Sequence, residues 1–290
     1  MLLGILMGLL CALSWAVGSV SIRDLARKLD PFTLNAPRTL SGGALTIALM
    51  FVMGRAPLVF AVTPEKLFYL VISVVVSSVI GDSLYVASIA RIGVSRTIPI
   101  ANAYPALTMV LGLLFLDEQI SWPVVIGLVL VLAGVFLVSP RPATNGAIEA
   151  TGTRGLLFAM LTTVFWAVGM ILVAPGIEGV DSLVASAIRI PALSLVLWII
   201  VFIRRSWHQY KSLTRREWVT LFVGGAVGWG LGNIFFVLAV SMLGPTRAAI
   251  LASTPPLFAL PLSVFWLKEK LNWFVVSGTV LAVIGIAIIG

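Results

Sequence analysis

Three charged residues stand well inside long apolar runs of this 290-residue sequence: Arg38, Asp82 and Arg189. A charge inside a bilayer costs free energy, so such residues usually face a bundle interior or a watery cavity and mark sites of function. Asp82 is the only carboxylate placed well inside an apolar run. It could carry a proton, hold a cationic group of a substrate, or form a structural ion pair with Arg38.

The two arginines inside the apolar runs have two possible roles. Arg38 and Arg189 each lie six to seven residues into an apolar run. Either side chain could contact an anionic group, such as a substrate carboxylate, or extend along its helix to the membrane interface. Asn35 and Gly42 share the helical face of Arg38, because residues three and four positions apart are neighbours on a helix. This spacing predicts a polar, uncrowded groove beside Arg38.

Further polar and aromatic residues extend this candidate site. Ser78 and Tyr85 share a helical face with Asp82, and prolines in two of the runs free backbone carbonyls that can line a cavity. Trp15 and Trp166 lie deep in their runs and offer aromatic faces to a ligand. The candidate substrate-binding residues are Trp15, Asn35, Arg38, Ser78, Asp82, Tyr85, Asn102, Tyr104, Trp166, Arg189, Asn233, Ser253 and Thr254.

The residue inventory argues against an enzyme. The segment Gly81-Asp82-Ser83-Leu84 spells a hydrolase nucleophile motif, but it lies inside an apolar run, and the single histidine, His208, lacks the acidic partner that such a dyad needs. The sequence contains no HExxH motif and no phosphate-binding GxxxxGK[ST] loop, so neither a metal, a cofactor nor ATP is expected. The lone Cys11 excludes an intrachain disulfide. A lipid-modifying enzyme with Asp82 as its base remains an alternative.

The elements that position these residues follow from composition. The chain is 60% hydrophobic and 10% charged, whereas soluble domains are about 45–50% apolar and about 25% charged. The net charge of +8 suggests nucleic acid at first, but the basic residues lie in short groups between apolar runs, so the partner is a lipid bilayer. Runs of about 20 apolar residues can cross a bilayer as helices. Ten such runs occur, at 2–21, 32–53, 66–90, 96–116, 121–139, 154–174, 182–203, 217–242, 247–267 and 271–289.

Basic residues in the loops predict the orientation. With ten spans, fourteen lysines and arginines fall on one side of the membrane and three on the other. Because cytoplasmic loops collect Lys and Arg, this bias places both termini outside the cytoplasm of a multi-pass cell-membrane protein.

An internal repeat organises the chain. At an offset of 151, the segment 4–139 matches 155–290 without a gap. Each copy holds five spans, an odd number, so the second copy must enter the membrane inverted. We therefore predict an all-α integral membrane protein of ten transmembrane helices, with a first repeat at 1–139, a cytoplasmic linker at 140–153 and an inverted repeat at 154–290. The matched pairs include Trp15 with Trp166, Asp30 with Asp181, Arg38 with Arg189, Gly93 with Gly244 and Glu118 with Glu269.

The ordered motifs of both halves resemble the EamA-type transporters of the drug/metabolite transporter superfamily. The resemblance implies a ten-helix, two-repeat carrier of small organic metabolites, often an exporter of amino acids or related compounds. Two departures are an aspartate at Asp117, where a small residue usually stands, and the pairing of Asp82 with Asn233. The motifs are Asn35-Ala36-Pro37-Arg38, Gly93-Val94-Ser95-Arg96, Tyr104-Pro105 and Leu116-Asp117-Glu118, repeated as Ala187-Ile188-Arg189, Gly244-Pro245-Thr246-Arg247, Pro255-Pro256 and Leu267-Lys268-Glu269.

These observations predict a secondary transporter that works by alternating access, with its site between the repeats. Its substrate is a small molecule, protons are a candidate coupling ion, and the protein is a monomer or homodimer that binds no nucleic acid. Glu118 and Glu269 are expected to pair with basic neighbours or to cap the fifth and tenth spans. A channel or scramblase is the alternative to a carrier.

Overall fold

The computed structural model describes residues 1–22, 25–139, 152–258 and 273–289, and all regular secondary structure in this part is helical. The all-α class is therefore confirmed. Short 3-10 helices at Leu25–Arg27, Ala56–Ala61 and Ser206–Ser212 join some of the longer elements. The α-helices are α1 (Leu2–Ser21), α2 (Pro31–Val52), α3 (Pro64–Val74), α4 (Asp82–Ile92), α5 (Val94–Ala101), α6 (Tyr104–Phe115), α7 (Trp122–Val138), α8 (Gly152–Ile177), α9 (Ser182–Ile203), α10 (Arg215–Gly225), α11 (Gly232–Ala252) and α12 (Trp273–Ile289).

The described residues include six helical stretches that are long and apolar enough to cross a membrane, and two shorter apolar helices. The chain is thus a multi-pass membrane protein. The run 182–203 coincides with α9, whereas the break predicted at 243–246, between the eighth and ninth runs, lies inside α11. The run 247–267 extends beyond the described residues, and so does most of the predicted linker.

Equivalent helices of the two halves begin with equivalent caps. Asp30 accepts hydrogen bonds from the backbone nitrogens of Phe32 and Thr33 at the start of α2, and Asp181 does the same at the start of α9. Thr63 and Thr214 likewise cap α3 and α10. Each cap satisfies backbone donors that the first turn of a helix leaves free. The repeat in the sequence is therefore also a repeat of local structure.

Two π-helical segments also recur at the offset of 151. Val75–Gly81 joins α3 to α4, and Ala226–Leu231 joins α10 to α11. The first segment ends directly before Asp82, and the second ends two residues before Asn233. Such wide turns are rare and often mark functional sites. The sequence pattern did not predict them.

A single glycine joins α4 to α5, and its counterpart breaks α11. Gly93 has φ 78° and ψ 165°, and Gly244 has φ 80° and ψ 166°. Residues with a Cβ avoid this conformation, so glycine is required for helix to follow helix with no intervening loop.

Equivalent helices pack antiparallel. In the pair of α7 and α12, a Cβ added to Gly127 would lie 2.7 Å from the carbonyl oxygen of Gly285, and one added to Gly278 would lie 2.7 Å from that of Gly134. Small residues four or seven apart let helix backbones approach this closely in a membrane. As the residue number rises along α7, the number of its contact partner falls along α12, so the two helices run in opposite directions.

The same relation holds for α2 and α9. At one end, the hydroxyl of Thr33 lies 2.7 Å from that of Ser206; at the other, Arg55 lies 3.8 Å from Asp181. The start of α2 therefore meets the end of α9, and the reverse. Two halves related in this way have the arrangement that an inverted repeat requires.

The 3-10 helix Ser206–Ser212 is fastened to the start of α2. Asp30 and Gln209 exchange two hydrogen bonds of 2.9 Å, and the Tyr210 hydroxyl donates to the carbonyl of Thr33 at 2.9 Å. Burial, and to a lesser extent the negative charge of Asp30, raises the pKa of Tyr210 above its usual range, so the hydroxyl stays a donor. These contacts link the halves at the predicted cytoplasmic face.

Candidate functional site

Trp166 on α8 is at the centre of the first cluster of predicted site residues. Its indole nitrogen donates to Oδ1 of Asp82 at 2.9 Å, and its ring centroid lies 5.2 Å from that of Tyr85 and 5.6 Å from that of Tyr104. A Cβ on Gly81 would lie 2.7 Å from the indole Cδ1. Glycine at the end of the π-helical segment therefore lets the tryptophan of the second half reach the carboxylate of the first.

A second cluster repeats this arrangement with the halves exchanged. Trp15 on α1 lies 5.9 Å from Phe236, centroid to centroid, and a Cβ on Gly232 would lie 2.7 Å from the Cδ1 of Trp15. Trp15, Gly232 and Phe236 are the counterparts of Trp166, Gly81 and Tyr85 at the offset of 151. Each tryptophan thus packs into the opposite half.

The two clusters differ in their hydrogen bonds. Arg189 donates to Oδ1 of Asn233 at 2.9 Å, and its guanidinium lies 5.2 Å from the ring centroid of Phe236. Arg38 instead donates to Oδ1 of Asn35 at 2.6 Å and to the carbonyl oxygen of Gly18 at 3.2 Å. The second half therefore joins its arginine to the residue at the Asp82 position, whereas the first half does not.

This geometry corrects two interpretations made from the sequence. Within the described residues the ion pairs are Lys28–Glu217 and Arg55–Asp181, so the ion pair considered between Arg38 and Asp82 is not formed. Extension of the arginines to the membrane interface is also wrong, because Arg38 is 7% exposed and Arg189 is 4% exposed. Arg38 is held inside the bundle by Asn35 of its own helix and by the carbonyl of Gly18 on α1. Arg189 is held by Asn233 on α11.

Buried donors remain without partners around these arginines. The Nε atoms of Arg38 and Arg189 and the Nδ2 atom of Asn233 are buried and have no hydrogen-bond partner in the described part of the protein. Buried polar groups are usually paired, so an exception requires an explanation. Three unpaired donors on two cationic side chains and one amide are suited to an anionic or acceptor-bearing ligand.

A cavity of about 20 Å³ lies beside Asp82. Its polar lining comes from Asn35, Ser78, Asp82 and Ser83, and the rest of the lining is mainly apolar and includes Trp229. This volume is about that of one water molecule. The predicted neighbours Ser78 and Asp82 do share one space, but it must widen to admit a metabolite.

The remaining predicted site residues serve the backbone at helix breaks. Asn102, Ser253 and Thr254 each donate to a carbonyl oxygen three or four residues earlier, at 3.0, 2.8 and 2.6 Å, and the Tyr104 hydroxyl donates to the carbonyl of Ala249 at 3.1 Å. None of these four lines the cavity beside Asp82. Their role in binding stays a prediction.

The sequence reasoning missed several residues of the site. Phe236 is the counterpart of Tyr85 at the offset of 151, so the repeat itself held the signal that could have found it. Gly18 contributes only its carbonyl oxygen, which no side-chain pattern reveals. Trp229 replaces Ser78 in the second half and reaches the first half's cavity, a contact that depends on how the halves pack.

Glu118 binds across the two halves rather than capping the fifth span. Its carboxylate accepts hydrogen bonds from the backbone nitrogen and hydroxyl of Thr246, at 3.3 and 2.6 Å. Thr246 lies just after Gly244, where the helical N–H groups are free and the dipole favours a negative charge. Glu269, the counterpart of Glu118, lies outside the described residues.

The protein is a helical multi-pass bundle of two similar halves, with charged and unpaired groups buried where the halves meet. This arrangement is typical of secondary transporters. The family model of the EamA-like transporter family matches residues 2–139 and again residues 153–290. The chain belongs to the EamA-like transporter family.

Similar proteins agree with this assignment. An uncharacterized transporter of Archaeoglobus fulgidus is 26% identical over 99% of this chain and 98% of its own. A putative sugar uptake protein of Lactiplantibacillus plantarum is 24% identical over 98% of this chain and 97% of its own. A solved crystal structure superposes with a TM-score of 0.81 at 17% identity, covering 98% of this chain and 94% of that one, which establishes the fold.

Proposed function

We propose that this transporter is a secondary carrier that exports small organic metabolites bearing a carboxylate, such as amino acids or related compounds, by alternating access. In this proposal ten spans form two inverted repeats, at 1–139 and 154–290, joined by a cytoplasmic linker at 140–153. Both termini lie outside the cytoplasm of the cell membrane. The binding site lies between the repeats.

The observation that carries the proposal is the duplication of the site. Each tryptophan, Trp15 and Trp166, inserts from one half into a glycine-marked helix turn of the other, so any movement of one half changes both clusters. Two similar packings of similar halves can differ little in free energy, as alternating access requires. A single water-filled channel needs no such duplicated contacts.

The buried arginines support an anionic substrate group. Guanidinium groups bind carboxylates through paired hydrogen bonds, and both Arg38 and Arg189 retain an unpaired, buried Nε. Within the described residues Asp82 accepts one hydrogen bond, from Trp166. It is the candidate for carrying a coupling proton. The thirteen residues proposed from the sequence remain the candidate binding set.

The test is transport by the purified protein in proteoliposomes. Counterflow of radiolabelled amino acids, organic acids and sugars is measured with and without a pH gradient. Saturable exchange of a carboxylate-bearing solute is expected; saturable exchange of neutral sugars alone would contradict the proposed substrate class. Flux that does not saturate would indicate a channel. Movement of lipids between leaflets would indicate a scramblase, and chemical alteration of a lipid or solute would indicate an enzyme.

Orientation has its own test. In intact cells, Asn145→Cys and Lys211→Cys should react with a maleimide that crosses the membrane and not with one that cannot. Phe60→Cys, at a position 94% exposed, should react with both. The native Cys11 is fully buried and serves as a silent background. The reverse pattern would overturn the proposed topology.

A further inference from the structure

One difference in charge separates the two clusters of the duplicated site. The tryptophan, the glycine and the aromatic residue recur in both clusters, but Asp82 in the first is Asn233 in the second. A carboxylate and an amide are similar in shape and differ in charge. At this position the two clusters therefore differ in charge.

In the first cluster no cationic group of the described residues neutralises the charge of Asp82 by direct contact. The side chain is half-buried and lines the cavity. Within the described residues it receives one hydrogen bond, at Oδ1 from Trp166, and no cationic group lies within 4.0 Å. The N–H edge of Trp166 meets Oδ1, and the ring of Tyr85 lies 5.2 Å from that of Trp166. A carboxylate whose other oxygen receives no hydrogen bond from the described residues can bind an ammonium group.

Arg38 is held so that it leaves this place open. Its Nη1 and Nη2 atoms are bound to Asn35 and to Gly18, while Asn35 also lines the cavity of Asp82. The same cavity includes Pro31 and Phe32 at the start of α2 but not Arg38, and this end of α2 contacts the 3-10 helix that carries Lys211. An ammonium group that entered from this end would meet Asp82.

The second cluster has no carboxylate at the position that corresponds to Asp82, so it lacks an equivalent acceptor for an ammonium group. The oxygen of Asn233 already accepts from Arg189, and its unpaired buried atom is a donor, Nδ2. The adjacent guanidinium repels a second cation. This half is therefore suited to a carboxylate alone.

We propose that Asp82 is a specificity-determining residue that acts on one side only: it strengthens the binding of ammonium-bearing solutes at the face that carries Lys211 and not at the opposite face. The inference rests on the proposed function. An ammonium-bearing solute binds tightly at the face from which Asp82 is accessible. It binds weakly at the opposite face, where the counterpart residue is Asn233. A charge-assisted hydrogen bond to a partly buried carboxylate corresponds to an affinity ratio of about tenfold or more.

The experiment measures half-saturation at each face separately. Vesicles of one orientation are collected through biotin on Lys211→Cys, and exchange is followed with leucine and with 4-methylpentanoate, which has the same skeleton and no ammonium group. Leucine should half-saturate at about tenfold lower concentration on the Lys211 face, while 4-methylpentanoate should show no such ratio. Asp82→Asn should abolish the leucine ratio, whereas Asn233→Asp should leave it in place, because an aspartate at this position would pair with Arg189.

Two results would overturn the inference: a leucine ratio that survives in Asp82→Asn, or an equal ratio for 4-methylpentanoate. Failure of the proposed function is recognised separately by direct binding. Quenching of tryptophan fluorescence in detergent reports leucine binding without transport, and Asp82→Asn should weaken it about tenfold while leaving 4-methylpentanoate unaffected. Binding with this selectivity but no exchange would disprove the carrier alone; unchanged leucine binding in Asp82→Asn would disprove the role of Asp82.

Discussion

The indole nitrogen of Trp166 donates a hydrogen bond of 2.9 Å to Oδ1 of Asp82 and so joins the second half of the protein to the first. The bond fixes which carboxylate oxygen is left for a ligand. Its counterpart in the other cluster is missing, since Arg189 and not Trp15 binds Asn233. The two tryptophans, alike in packing, therefore form a matched pair for experiment.

Replacing Trp166 by Phe should weaken leucine binding more than replacing Trp15 by Phe. Both changes keep an aromatic ring, but only the first removes a hydrogen bond that holds Asp82. Loss of such a bond to a charged group should lower leucine affinity by about tenfold, measured by equilibrium binding of labelled leucine to each purified variant. Equal losses in the two variants would show that the indole acts through packing alone.

Arg38→Lys and Arg189→Lys should each weaken the binding of carboxylate-bearing solutes. Lysine keeps the charge but cannot reproduce the several directed donors of a guanidinium, so an affinity loss of about tenfold is expected for 4-methylpentanoate. Arg55→Lys is the control, because Arg55 is exposed and forms only a long ion pair, with 3.8 Å between its Nη1 and Oδ2 of Asp181. Competition by 3-methylbutylamine, which lacks a carboxylate, should be unchanged by the arginine variants. A parallel loss for the amine would indicate general damage to the site.

Much of the fold could be predicted from the sequence because its signals are local. The length of an apolar run sets the length of a helix, and Asp30 or Thr63 before a run sets its start. The offset of 151 also reveals which residues must occupy equivalent places. Applied to Tyr85, it would have found Phe236.

The rest depended on contacts between helices. The π-helical turn before Asp82 accommodates the ring of Trp166, a residue far away in sequence. The partners of Arg38 depend on where the backbone of α1 passes, and composition cannot show that Gly18 leaves its carbonyl oxygen within reach. Glu118 likewise binds a helix start that exists only because Gly244 interrupts α11.

Gly244→Ala should destabilise the protein more than Gly54→Ala. Both glycines have positive φ, 80° and 67°, so alanine is strained at both positions. At Gly244, where ψ is 166°, the backbone region is essentially restricted to glycine and the strain is about 1–3 kcal/mol. At Gly244 the new Cβ would also lie 2.7 Å from Oε1 of Glu118, whereas nothing lies within 4 Å of Gly54. The midpoint of thermal unfolding in detergent should fall further for Gly244→Ala. Equal midpoints would mean that Glu118 moves aside without cost.

Glu118 and Thr246 should be energetically coupled. A carboxylate that accepts from both a hydroxyl and a helix-start N–H is worth about 1–3 kcal/mol, so Glu118→Ala and Thr246→Ala should each lower the free energy of unfolding in mixed micelles. The double variant should lose less than the sum of the single losses, by about 1 kcal/mol, because both remove the same interaction. Gln119→Ala, at an exposed neighbouring position, should combine additively with Thr246→Ala. If Glu118→Ala is also additive with Thr246→Ala, the hydrogen bond from the Thr246 hydroxyl to Glu118 contributes nothing to stability.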